Sequence, residues 1–303
     1  MSKPTQSAIF VTGATGNVGR SVVSQLVSAG HAVRALTRNP NSAGLPQEVD
    51  VVGGDLTVPA SLEGSLEGIA SVFLVWRGIP VESIAAFLDL AAKHARRIVF
   101  LSSGSVRDDV EQQTNPIGQA HADLERLIQR SGMNWTFLRP GAFATNSLMW
   151  WAPQIRRSDV LRWPYGAAAM TPIHERDIAA VAVQALTEPG HSGKKYILTG
   201  PQSLTQREQV RLIGEAIGRK LHFDEISPEV ARQELAAFMP PFLVDTLLDA
   251  WSRTVDSPAL PTSTVAEVTG SPAHTFREWA VDHASEFFFQ SSAISAQAVR
   301  LQE

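Results

Sequence analysis

VTGATGNVGR, residues 11–20, sets three glycines at intervals of three directly behind a short apolar run. Ile9, Phe10 and Val11 read as a buried strand, and Val22, Val23, Leu26 and Val27 fall on one face of a helix over 18–29 that Gly30 ends. Between a strand and its following helix, bare backbone turns sharply, admits a pyrophosphate and lets the two elements pack closely. The helix N-terminus adds free N–H groups and the positive end of its dipole. The spacing is G-x-x-G-x-x-G rather than G-x-G-x-x-G, but its place in a strand-turn-helix unit points to a bound dinucleotide.

Outward from this turn, strands are predicted over 32–37, 49–52, 72–76, 98–101 and 135–138, and helices over 84–94 and 120–130. Short apolar strands separated by helices imply right-handed βαβ crossovers and a parallel sheet covered on both faces. The expected fold class is α/β, a doubly wound parallel Rossmann sheet over 1–141, rejoined by about 172–200, where a helix (177–186) and a strand (196–199) are predicted. Past Arg139-Pro140-Gly141 the rhythm breaks, and Pro, Trp and Met gather through 143–165. Residues 142–171 and 201–289 are read as a smaller, mostly helical substrate lobe over the carboxyl edge of the sheet. The polar tail, 290–303, is expected to be flexible.

The bulk numbers exclude several classes. At 303 residues, 44% hydrophobic and 18% charged, the chain reads as an ordinary globular protein. A net charge of -4 with no Lys/Arg-rich run offers no footprint for nucleic acid or an anionic membrane. There is no cysteine, hence no disulfide or thiolate site, and the eight histidines form no HExxH-like cluster, so no metal is expected. No apolar run suits a signal or a membrane span, which makes a cytoplasmic protein the expectation. A homodimer is compatible with the chain.

The end of the second strand decides which dinucleotide. Ala35-Leu36-Thr37-Arg38-Asn39 carries no acid for a ribose 2'-hydroxyl. Arg38 can grip a 2'-phosphate by two parallel bonds and Thr37 can donate another, so NADP(H) is expected as the cofactor.

These residues, with Gly54-Asp55-Leu56, Leu101-Ser102-Ser103, SGMNWTFLRPGAF (131–143) and PIHERDIA (172–179), resemble the NmrA-like atypical short-chain dehydrogenases/reductases. The resemblance is good over about 9–199 and only general beyond. It implies that Gly13, Thr15, Gly16, Asn17, Val18 and Gly19 hold the pyrophosphate and that Asp55 and Leu56 lie against the adenine. It places Trp76 and Arg77 beside the nicotinamide half, and Pro140, Gly141, Ala142 and Phe143 under its ring. Asp55 reads equally as a cap for the next helix, and Trp76 as a core aromatic.

Many short-chain reductases carry Tyr-x-x-x-Lys in the helix predicted over 120–130. Aligned through Glu125 and Ser131-Gly132, the lysine position falls on His121 and the tyrosine position on Ile117, which cannot transfer a proton. His121 then has three readings: a ribose contact, a proton donor, or a hydrogen-bonded helix histidine. Ser102 and Ser103, at the carboxyl end of the fifth strand, are candidates to orient a substrate oxygen. Asp177 reads as a helix N-terminal acid, and His174 as facing the cleft.

Trp150, Trp151, Trp163 and Tyr165, with His174, are the candidate substrate contacts. They suit a small apolar or aromatic molecule such as a quinone, azo compound, enone or ketone, although lobe packing explains the aromatics equally well. The function expected is an NADPH-dependent oxidoreductase. The alternatives are an NADP(H)-binding redox sensor and a non-redox cyclase or isomerase on the same fold.

Overall fold

The computed structural model describes residues 7–288. Along the chain run β1 (Ala8–Val11), α1 (Asn17–Ser28), β2 (Val33–Thr37), β3 (Asp50–Gly53), β4 (Ile69–Val75), α2 (Val81–Ala91), β5 (Arg97–Leu101), α3 (Pro116–Arg130), β6 (Asn134–Pro140), α4 (Asn146–Trp150) and α5 (Ala152–Ile155). Then follow β7 (Val160–Trp163), β8 (Ala169–Met170), α6 (Glu175–Thr187), β9 (Lys194–Leu198), β10 (Leu204–Thr205), α7 (Gln206–Ala216), β11 (His222–Glu225), α8 (Pro228–Ala236), α9 (Pro241–Asp256), α10 (Thr264–Thr269) and α11 (Phe276–Asp282). No described helix is long and apolar enough to cross a membrane.

The chain divides into two units. Among the described residues, one comprises 7–143, Thr171–Gln202 and Leu260–His274; the other comprises Ala144–Met170, Ser203–Ala259 and 275–288.

The first unit is a seven-stranded sheet in the order β3-β2-β1-β4-β5-β6-β9, and every pairing is parallel. Side chains alternate between faces along each strand, so each strand feeds two cores. Ile9 and Val11 join Val22, Val23 and Leu26 of α1 and Val181, Ala182 and Ala185 of α6. Phe10 joins Val72, Leu74, Ile84, Phe87 and Leu124 in the other cluster. This is the doubly wound Rossmann sheet expected from the sequence. Strand order reverses between β1 and β4, and the glycine turn leaves β1 there, where such sheets open a crevice at their carboxyl ends.

Helix α3 starts at Pro116, earlier than periodicity suggested. The Asn115 side chain accepts from the Gly118 N–H (2.8 Å), and proline occupies the first helical position, where its missing N–H costs nothing. Leu260–His274, grouped on sequence with the smaller lobe, packs instead with the sheet. The Thr262 N–H donates to Thr199 Oγ1 (2.8 Å), and Val265 enters the cluster beneath α6. Asp177, 3% exposed, accepts from the backbone N–H (2.8 Å) and lies 2.6 Å from ring Nδ1 of His274.

The second unit pairs β7 with β11 in parallel and β8 with β10 antiparallel, where the sequence predicted mostly helix. β8 and β10 have two residues each, and β7 (VLRW) and β11 (HFDE) carry charged residues where β1 has an unbroken apolar run. Its core holds five of the chain's seven tryptophans: Trp150, Trp151, Trp163, Trp251 and Trp279 are buried among Leu161, Ile213, Leu248 and Phe276. The expectation for 290–303 falls outside the described residues.

Candidate active site: the nucleotide crevice

Two of the three glycines in the turn are required for different physical reasons. Gly13 has φ +60, a left-handed conformation that side chains disfavour. A Cβ on Gly19 would lie 2.1 Å from the Gly13 oxygen, so only glycine lets α1 start this close to the turn. Gly16 precedes the helix, and neither a capping side chain nor a first-turn carboxylate occupies the N-terminus of α1. The N–H groups of Asn17, Val18 and Gly19 therefore present positive charge that suits a pyrophosphate.

A cavity of about 400 Å³ runs from this turn past β2 and β3. It is lined by the predicted Gly13, Thr15, Thr37, Arg38, Asp55, Leu56 and Arg77. Leu36, Gly54, Thr57, Val75 and Ile79 also line it, and none of them is among the contacts expected from the sequence. A Cβ on Gly54, just past β3, would stand 2.4 Å from Leu62 Cδ2, so a side chain there would have to displace that buried leucine. The Thr57 N–H donates to Asp55 Oδ1 (2.8 Å). That bond, with Thr57's hydroxyl and the nearby Arg38 charge, lowers the Asp55 pKa and keeps it an acceptor. Asp55 thus caps its turn and lines the cavity at once. Arg38 is exposed with no ion-pair partner among the described residues, and Thr37 Oγ1 accepts from the Asn39 N–H (3.2 Å).

His121 does not have the geometry of a free proton donor. Its Nδ1 lies 2.8 Å from the Ile117 carbonyl oxygen, which fixes Nδ1–H as donor and leaves Nε2 as acceptor in the neutral ring. Burial lowers its pKa, and the Ile117 bond and the Glu125 charge only partly oppose this. The ring stacks on Phe100 (6.0 Å) and meets Trp76 edge-on (5.1 Å). Trp76 is held in turn, its indole N–H donating to the Ile79 oxygen (2.7 Å).

Ser102 is 3% exposed and donates its hydroxyl to Glu125 Oε1 (2.5 Å), so it faces a buried carboxylate instead of a substrate. Ser103 Oγ accepts from the Ser105 N–H (3.1 Å) and shapes the turn after β5. Behind both lies an ion network that the sequence did not reveal. Arg139, 2% exposed, donates Nε and Nη2 to Glu125 (2.9 and 2.6 Å) and Nη1 and Nη2 to Asp108 (2.9 Å each). Lys195 Nζ reaches the same Asp108 (2.6 Å). The Arg139 bonds, with help from Lys195, pull Asp108 down to about 2. Partners this far apart in sequence leave no local pattern.

Pro140, Gly141, Ala142 and Phe143 continue β6 through backbone ties: Gly104 N–H to Pro140 oxygen (2.8 Å), Gly141 N–H to Leu198 oxygen (2.9 Å) and Ile173 N–H to Ala142 oxygen (2.8 Å). His174 is 1% exposed and accepts at Nδ1 from the Arg176 N–H (3.2 Å), so it caps α6 where an open cleft residue was expected. Trp151 and Trp163 are core residues of the second unit, at 0% and 3% exposure. Tyr165 has φ +54, and that turn is locked by Gln206, whose Nε2 donates to the Pro164 and Tyr165 oxygens (3.1 and 3.0 Å). The indole N–H groups of Trp150, Trp151 and Trp163 are buried without an acceptor, each a cost of about 1–3 kcal/mol.

Comparison with known proteins agrees with the crevice. A family model described as NAD(P)H-binding matches residues 13–189. The chain belongs to the NAD(P)H-binding family. A (4-alkanoyl-5-oxo-2,5-dihydrofuran-3-yl)methyl phosphate reductase of Streptomyces griseus is 39% identical over 283 residues, covering 92% of this chain and 99% of the relative. An NAD(P)H azoreductase of Xenophilus azovorans is 37% identical over 287 residues, again with 92% and 99% covered. An NADPH-dependent quinone oxidoreductase of Escherichia coli, solved with NADPH, superposes with a TM-score of 0.75 at 22% identity, covering 90% of this chain and 99% of its own. As a member of this NAD(P)H-binding family with the NmrA-like pattern, the protein is an NAD(P)H-dependent oxidoreductase.

Proposed function

We propose that the protein uses NADPH in preference to NADH to reduce a small, flat, conjugated acceptor of quinone or azo type. The observation that carries the cofactor preference is the unpaired Arg38 beside Thr37 on the crevice wall, at the position where an acid would favour NADH. Gly13, Gly16 and the first turn of α1 would hold the pyrophosphate, Arg38 and Thr37 the 2'-phosphate, and Asp55 and Leu56 the adenosine. When bound, NADPH supplies the hydride.

The acceptor class follows from what α3 lacks. Its sequence, PIGQAHADLERLIQR, contains neither tyrosine nor lysine, and His121 turns its N–H toward Ile117. His121 Nε2 suits acceptance of a ribose hydroxyl more than protonation of an oxygen. Without a positioned acid, acceptors that delocalise charge and take their proton from water are favoured over simple ketones. The azoreductase relative supports this choice. Loss of NADPH absorbance with a panel of quinones, azo dyes, enones and ketones tests it, and quinones and azo dyes should react fastest. If no acceptor consumes NADPH while one oxidation state of the nucleotide binds selectively, the missing acid would instead mark a redox sensor.

A further inference from the structure

Arg20 closes the glycine stretch but does not line the crevice. It lies in α1, one helical turn beyond Gly16, to whose oxygen its backbone N–H donates (2.8 Å). Its guanidinium reaches across to the connection between β2 and β3: Nη1 donates to the Gly44 oxygen (2.5 Å) and Nη2 to the Ala43 oxygen (3.1 Å). The partners are two adjacent carbonyls instead of a carboxylate, so the planar fork fixes a position and does not merely balance a charge. The connection, residues 38–49, carries Arg38 at its start and is wound tightly from there. The Asn39 N–H donates to Thr37 Oγ1 (3.2 Å), the Ser42 N–H to the Asn39 oxygen (3.2 Å) and the Ala43 N–H to the Pro40 oxygen (3.3 Å). Among the described residues, Arg20 is the only side chain of another element that hydrogen-bonds to this connection.

We propose that Arg20 is a positioning residue for recognition of the 2'-phosphate. It ties the connection that carries Arg38 to the helix whose N-terminus faces the pyrophosphate, and so sets the spacing between the two phosphate subsites. Both of its terminal nitrogens are engaged by carbonyls and it stands off the cavity wall, so it acts through Arg38. The inference rests on the reading that Arg38 holds the 2'-phosphate. All of its parts belong to the first unit.

Calorimetric titration of the full chain with NADPH and with NADH, over a cycle of Arg20→Ala, Arg38→Ala and the double variant, tests this role. Arg20→Ala should weaken NADPH binding by about fivefold or more, move the NADH dissociation constant by less than about twofold, and add nothing once Arg38 is alanine. A general loosening of the fold would weaken both nucleotides alike, and direct attraction of the phosphate by the Arg20 charge would persist in the Arg38→Ala background. Either result overturns the proposal, as does unchanged NADPH affinity in folded Arg20→Ala. Should Arg20→Ala fail to melt cooperatively, Arg20→Lys, which keeps the charge but not the planar fork, enters the same cycle, with a selective loss of about threefold expected. Unchanged NADPH affinity in Arg38→Ala removes the phosphate reading of Arg38 and the positioning role with it. A loss in Arg38→Ala without one in the Arg20 variant removes the positioning role alone.

Discussion

At Arg38 a single guanidinium carries the choice between two nucleotides. Arg38→Asp should weaken NADPH binding by about a hundredfold or more and narrow or reverse the preference over NADH, as measured by calorimetric titration of both. Unchanged NADPH affinity would refute the phosphate assignment. His121 makes an opposite kind of statement, because burial favours its neutral ring by more than the Ile117 carbonyl and the Glu125 charge oppose it. With a folded pKa below 6.5, its contribution to stability is present above that value and is lost as pH falls through the lowered one. Its Cε1 proton resonance should therefore titrate below pH 6.5, and turnover should show no loss of a histidine acid between neutral and mildly alkaline pH. A midpoint above 6.5 would restore the proton-donor reading. The place of Gly13 and Arg38 on the cavity wall was legible because each is a residue type tied to a local spacing, whereas that of Asp55 came from the family resemblance alone. The employment of Ser102 by Glu125 was not, since a hydroxyl at a strand end looks the same whether it faces substrate or a buried acid.

Among elements, β6 and α3 are locked to each other and to the turn after β5 by Arg139, Glu125 and Asp108. Glu125→Ala leaves a buried guanidinium short of its inner partner and should cost about 3–5 kcal/mol, read from the denaturation midpoint. A loss below about 1 kcal/mol would show that Asp108 alone suffices. Asp108 folds with a pKa near 2 against an ordinary 3.8, so its contribution is whole above about pH 4 and disappears as pH drops toward 2. Asp108→Asn should flatten that part of the acid unfolding curve. The alternating strands and helices of the large sheet were readable because the strands are short apolar runs and the helices carry an apolar face. The short pairs β7–β11 and β8–β10 were not, and neither was the Asn115-Pro116 start of α3, whose signal lies in a cap instead of a period.

For the whole molecule, a nucleotide that binds only the folded chain must raise its thermal stability. At free NADPH about a hundredfold above its dissociation constant the gain is about 2.7 kcal/mol, a rise in melting temperature on the order of 5 °C. A melting curve indifferent to NADPH would contradict the crevice assignment. The doubly wound class was legible from the sequence, but the return of Leu260–His274 to the sheet was not, because its anchors, Asp177 and Thr199, lie far back in the chain. That return bears on synthesis. A ribosome has delivered every strand of the large sheet by Leu198, yet the piece that Asp177 clasps emerges only after the 57 residues Ser203–Ala259 of the other unit. A nascent chain stalled before Leu260 therefore exposes a bare carboxylate and an uncovered apolar strip on α6, and a protease able to cut between 203 and 259 should find stalled chains far easier prey than finished ones.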